Sequence, residues 1–241
     1  MKNKKIRKMK KIILSFISLI FTLSINAQLD RSIMPLGGPS PKIKLDKPKE
    51  FKLKNGIRVL VVENHKLPRI NYSLRFDRKP VVEGEKTGVI SLLGSMLGNG
   101  TTSISKDDFN EEVDFLGAGI NVGFGSGFAF TLTKNNERVL ELFSDAVINP
   151  LLTEEEFEKE KDKLIEGLKS QKKDIDAISG RVGDALSYGK NHAYGEFISE
   201  QTIDNIKFED ILEYHAKYFI PNNVYIVVIG DVNYKEVKSL I

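Results

Sequence analysis

The 241-residue chain contains no cysteine. That excludes disulfides, thiolate metal sites and a lipid-modified cysteine. Histidine is almost as scarce. His65, His192 and His215 are the full set, and no two of them stand at i, i+4 on one helix. A metal site built from them is not expected. Ser91 and Ser95 lie in no G-x-S-x-G elbow and have no histidine base assigned to them, so serine nucleophile chemistry is not expected either. The chain has no internal repeat.

The first 27 residues lack acids. Met1 to Lys11 holds seven basic residues, and Ile12 to Ile25 is an apolar run of 14. Ser24-Ile-Asn-Ala27 offers a small residue for cleavage before Gln28. This is the anatomy of a secretory signal peptide, too short for a comfortable membrane span; an uncleaved anchor is the alternative. The expected address is export, to a bacterial periplasm or envelope, with no stable membrane span after cleavage. The formal charge of +3 hides a different balance. Without the seven leader cations, 29 basic residues face 33 acidic ones. Such a mildly acidic chain gives no sign of a nucleic-acid partner.

Residues 28–50 carry Pro35, Pro39, Pro41, Pro48 and Gly37-Gly38, and read as an extended leader. Phe51 to Glu63 and Ile70 to Arg78 read as a strand pair around His65-Lys-Leu-Pro68. Ser105-Lys-Asp-Asp108 opens a helix to Leu116, stopped by Gly117. Ile120 to Lys134 reads as strand. Asn136 to Ile148 is an amphipathic helix through Val139, Leu140, Leu142, Phe143, Ala146 and Val147. Thr153-Glu-Glu-Glu156 caps a long charged helix whose dense charges read as a solvated face. Ile178 to Tyr188 and Phe208 to Tyr218 are further helices. Val224 to Ile229 reads as a buried strand, and a helix begins at Tyr234. The glycines of Gly117 to Gly127 do not form a nucleotide loop, because a helix precedes them and a strand follows.

One segment stands apart. In Thr87 to Thr102, Val89, Ile90, Leu92, Leu93, Met96 and Leu97 recur at helical spacing and should face a core. Ser91, Gly94, Ser95 and Gly98 fall at i, i+3, i+4 and i+7, a second stripe with nothing larger than a hydroxyl. Two glycines inside one helix cost roughly 1 kcal/mol each against alanine. The stripe reads as a place filled by close packing.

The landmarks around it are Phe51 to Pro68, Asn99-Gly-Thr-Thr-Ser-Ile-Ser105, Phe115-Leu-Gly-Ala-Gly119, Asn149-Pro150, Asn191-His-Ala-Tyr-Gly195 and Pro221 to Val232. Together they resemble one domain of the insulinase/pitrilysin-type metallopeptidases, the group that includes mitochondrial processing peptidase. The resemblance runs from about Phe51 to the end. It implies an α+β fold, a mostly antiparallel sheet with helices packed on one face. Active members carry the inverted zinc motif H-x-x-E-H. Laid on this chain, its histidine positions are Ser91 and Ser95 and its glutamate position is Gly94. The third-ligand position falls at Gly167, with Glu166 one residue away. Catalytic zinc needs three protein ligands and a water, and the water needs a base. The resemblance thus implies the fold and removes the activity: no catalytic residue, no metal and no cofactor in this chain, with zinc only in a motif-bearing partner.

The expected organisation is a signal peptide at 1–27, a leader at 28–50 and an N-terminal-like peptidase domain at 51–241. The last helix looks cut short, and the family's second domain is missing. The resemblance further implies a catalytically silent subunit that lends chamber wall and contacts for unfolded peptide to a zinc peptidase subunit. The alternatives are a scaffold on the same fold and an inert fragment.

Overall fold

Apolar residues two apart in β3 (Arg69–Phe76) set the plan of the sheet. Ile70, Tyr72 and Leu74 are buried, and the residues between them are not. The computed structural model describes residues 47–221 and 224–241, with Ser15, Gly37, Gly38 and Ser40 besides. Almost all of the expected signal peptide and leader, and Asn222 and Asn223, lie outside these. The chain divides into two compact units, Met1–Leu45 and Asp46–Ile241. Every element named here belongs to the second.

The other strands are β1 (Lys49–Lys52), β2 (Arg58–Glu63), β4 (Gly119–Val122), β5 (Ser126–Leu132) and β6 (Val224–Gly230). Their order in the sheet is β1-β2-β6-β3-β5-β4. Only β2 and β6 run parallel; every other pairing is antiparallel. Register carries the alternation across: Val61, Val228, Tyr72 and Ala129 form one buried row. Helices pack on that face and on one another. They are α1 (Val89–Met96), α2 (Lys106–Phe115), α3 (Asn136–Ile148), α4 (Glu154–Gln171), α5 (Ile175–Tyr188), α6 (Glu200–Asp204), α7 (Phe208–Tyr218) and α8 (Tyr234–Leu240). The α+β fold with a mostly antiparallel sheet is as expected. α3 lies against β4 and β5, α8 against β2, and α1 against α4 and α7.

Several local expectations are corrected. Phe51 to Glu63 is a hairpin rather than one strand. Asn55-Gly56 turns the chain, with Gly56 at φ +99°, and β1 starts at Lys49, inside the expected leader. β2 and β3 are not neighbours, because β6 lies between them. Its unbroken apolar run favours a central place flanked by two strands. Ile120 to Lys134 folds as the β4–β5 hairpin followed by a short 3-10 turn at Thr133–Asn135. β6 is buried on one face only: Val228 is fully covered, while Ile229 is 41% exposed. Phe128, Phe130 and Leu132 share that open outer face.

Candidate functional site

α1 starts without a side-chain cap of its own. Its N-cap is Gly88 at φ +119°, where an added Cβ would press Ile198 at 3.2 Å. The cap comes from upstream. Glu83 accepts the backbone N–H of Gly88 at 3.0 Å and of Ile90 at 2.9 Å. Burial pushes the Glu83 carboxyl up; the Ile90 and Gly88 amides pull it down, and the Glu196 charge adds to the rise. Glu196 in turn accepts the N–H groups of Glu83 and Gly84 at 2.9 and 2.8 Å. An acid below the first turn also suits the helix dipole.

The far end of α1 is held by backbone pairing. Thr102 N–H donates to Asn149 at 2.9 Å, and Leu151 N–H donates to Gly100 at 3.2 Å. Two separate sequence landmarks therefore meet in space. The helix itself is shorter than expected. It ends at Met96, and Gly98 lies past the end at φ +74°. Only Gly94 is a helix-interior glycine of the stripe.

Val89, Leu92, Leu93 and Met96 are buried as expected, while Ile90 is only partly so. Ser91, Gly94 and Ser95 face away from the core, which corrects the packing expectation for them; only Gly98 of the stripe is closely packed, where a Cβ would meet Val122 N at 3.0 Å. Ser91 and Ser95 are exposed, and a Cβ at Gly94 would meet nothing within 4 Å. The same holds for Gly167 on α4. α1 and α4 pack against each other, but nothing fills the space of the missing side chain at either glycine. Ser95 Oγ donates to Leu92 O at 2.9 Å, satisfying its own helix. Glu166 is exposed on the neighbouring helical position.

These residues do not fit zinc. Two positions have no side chain, and the hydroxyl of Ser95 is engaged with its own helix backbone. Serine and glycine supply neither three ligands nor a base. Among the described residues no group of three or more His, Cys, Asp or Glu is placed to hold a metal ion.

The histidines stand in three separate places. His65 Nδ1 is 2.7 Å from Asp231 Oδ1, joining the β2–β3 loop to the end of β6. His192 stacks on Tyr188 at 5.5 Å. His215 is half-buried. It stacks on Phe219 at 4.5 Å, and burial lowers its pKa against a contact to Val147 O. The charges of α4 pair along its own surface, as in Lys159–Glu155 and Lys163–Glu160. Lys106 reaches across from α2 to Glu156.

Sequence reasoning missed Arg78. Its guanidinium lies 3.7 Å from the Phe124 ring centre and 5.4 Å from that of Tyr218. It also donates to the carbonyls of Phe124 and Tyr218. One cation thereby ties the end of β3 to the β4–β5 turn and the end of α7. The available signal was the density of aromatic residues at Phe76, Phe124, Tyr218 and Phe219, which only the fold brings together.

Comparison with known proteins places these observations. The family described as Peptidase M16 inactive domain matches residues 205–241. The chain is 23% identical over 199 residues to an uncharacterized zinc protease, YmxG, of Bacillus subtilis, covering 80% of the chain and 48% of that protein. It is 25% identical over 195 residues to the mitochondrial-processing peptidase subunit beta of Rattus norvegicus, covering 78% and 40%. A crystal structure of a peptidase M16 inactive domain from Pseudomonas fluorescens superimposes with a TM-score of 0.71 at 23% identity, covering 80% of this chain and 49% of that one. The chain spans about half the length of the curated relatives it matches.

Proposed function

This chain is an insulinase-family, M16-like protein, and we propose that it is the catalytically silent member of a zinc peptidase pair. The observation that carries this is the set Ser91, Gly94, Ser95 and Gly167, where the family keeps two histidines and two glutamates. The core face and both ends of α1 are intact around these positions. A fold kept around an emptied site suits a role in shape and contact, not chemistry. The partner is a motif-bearing subunit of the same family, and zinc belongs to that partner. This chain contributes chamber wall and contacts for unfolded peptide. The glycine-bearing β4–β5 hairpin at the sheet edge offers free backbone to such a peptide.

The basic segment Met1 to Lys11 and the apolar run behind it support export to a periplasm or envelope. Among the described residues no helix is long and apolar enough to cross a membrane.

The test is a pull-down of the tagged chain from its native envelope, read by mass spectrometry. A co-purifying protein with His-x-x-Glu-His supports the pair. A folded chain that brings down no such protein favours a scaffold on the same fold. Zinc-dependent cleavage by the purified chain alone would overturn the proposal.

A further inference from the structure

The outer face of the sheet, opposite the helices, carries two apolar bands with a polar strip between them. The strip is β3, the strand between β6 and β5. Register sets Ser73 between Val227 and Phe128, and Asn71 between Ile229 and Phe130. The floor residues are shorter than those beside them, so the strip lies in a trough. Ile229, Phe128 and Phe130 are 41%, 43% and 38% exposed. Phe130 leans away from the strip, over Gly119, where a Cβ would lie 2.2 Å from its ring. The trough is therefore open above Asn71.

Arg69 and Arg75 stand at its two ends, both exposed. Among the described residues neither forms an ion pair. Arg58 shares a cross-strand row with Arg75, and Lys52 lies opposite Arg58. Lys66 and Lys134 stand in the loops beside Arg69 and its neighbour Leu132. The acids at these ends are Glu50, Asp77 and Asp231. Glu50 is taken by Arg58, and Asp231 by His65 and Thr133. Cations thus outnumber acids at both ends, and the trough between them holds no charge.

We propose that this trough docks one amphipathic helix of a partner polypeptide, apolar on its buried side, polar at its middle and acidic in its first and last turns. The dimensions match a helix. The strands flanking β3 stand about 10 Å apart, close to the width of one helix. From Arg69 to Arg75 is about 20 Å of strand, the length of roughly 13 helical residues. Charge sets the acidic ends, since a basic helix would meet like charge at both. The amide of Asn71 and the hydroxyl of Ser73 call for a polar residue midway, because an unpaired polar group is costly to bury. That same cost argues against a lipid surface, whose acyl chains offer the floor no hydrogen bond.

The face lies on the opposite side of the sheet from α1 and α4, and the inference does not rest on the silent-subunit reading. Its probe is a fluorescein-labelled, side-chain-stapled helix of about 14 residues, with leucines on one face, a central serine and glutamates in both end turns. Fluorescence anisotropy with the purified chain should show saturable binding. A version with lysine for glutamate should bind about tenfold more weakly or worse. Phe128→Asp should weaken the acidic probe by about tenfold or more, and Arg75→Glu should narrow the difference between the two probes. Phe115→Asp, at an exposed residue at the end of α2, should change nothing. Thermal melts confirm that each variant is folded. No binding of the acidic probe overturns the proposal, as does binding indifferent to Phe128→Asp or to the sign of the probe's charge. An unstapled, proline-broken probe that binds equally well overturns the helix in favour of an extended peptide. A chain that ignores the probe but sediments with phosphatidylglycerol vesicles, and loses this with Phe128→Asp, overturns it in favour of a membrane surface.

Discussion

The carboxylate of Glu83 accepts the backbone N–H of Ile90 at 2.9 Å, and so caps a helix it does not belong to. It serves Gly88 as well. Glu83→Ala would leave two amides of the first turn without an acceptor in a half-buried place, at a cost of about 1–3 kcal/mol. Glu83→Gln keeps an acceptor oxygen and should lose less. Urea unfolding of the two variants against the parent separates these values.

The emptied stripe makes an opposite prediction. Since a Cβ at Gly94 or Gly167 meets nothing, Gly94→Ala and Gly167→Ala should each stabilise the chain by up to about 1 kcal/mol. The melting temperature should rise by about 2–4 °C for each full kcal/mol. Gly230→Ala is the contrast. Its Cβ would sit 2.0 Å from Arg69 O, at φ +144°, and the substitution should destabilise the sheet strongly. A calorimetric comparison of the three variants checks the signs.

Asp210 gives a pH prediction. Burial pushes its carboxyl up, but Lys86 Nζ at 2.5 Å and the Lys207 N–H at 2.9 Å outweigh it, so the group is held below its ordinary value. A depressed folded pKa means stability that is present above the unfolded value of about 3.9 and is lost as pH falls through the folded one. Asp210→Asn should lower stability at neutral pH and flatten the acid limb. Thermal midpoints from neutral to strongly acidic pH report the difference in slope.

Arg78 should behave as a tie among three elements. Arg78→Met removes the cation over Phe124 and two donors to partly buried carbonyl groups, for a loss of about 1–3 kcal/mol. A double-mutant cycle with Phe124→Leu should show coupling, because the two groups are in contact. Additive losses would mean the ring and the cation act independently.

Much of the helical layer was legible in the sequence because its signals are local. α3 spans Asn136–Ile148 with its six expected residues buried, and α7 spans Phe208–Tyr218. Ser105 and Thr153 cap their helices with the expected hydroxyls. Strand neighbours were not legible. The insertion of β6 between β2 and β3 joins residues 148 to 167 apart, and no local pattern encodes it. Asn55-Gly56 was a readable turn signal that the apolar run around it concealed. At the site, spacing located Ser91, Gly94 and Ser95 on α1. Small residues alone could not tell close packing from vacancy, since both need the same missing atoms. That distinction came only from what lies opposite them.

Zinc binding measured by titration on two proteins, the parent chain and a variant combining Ser91→His, Gly94→Glu, Ser95→His and Gly167→Glu, tests the central claim most directly. The account predicts no uptake by the parent and one zinc per chain in the folded variant. Stoichiometric zinc in the parent, or none in a variant that melts cooperatively, would contradict it.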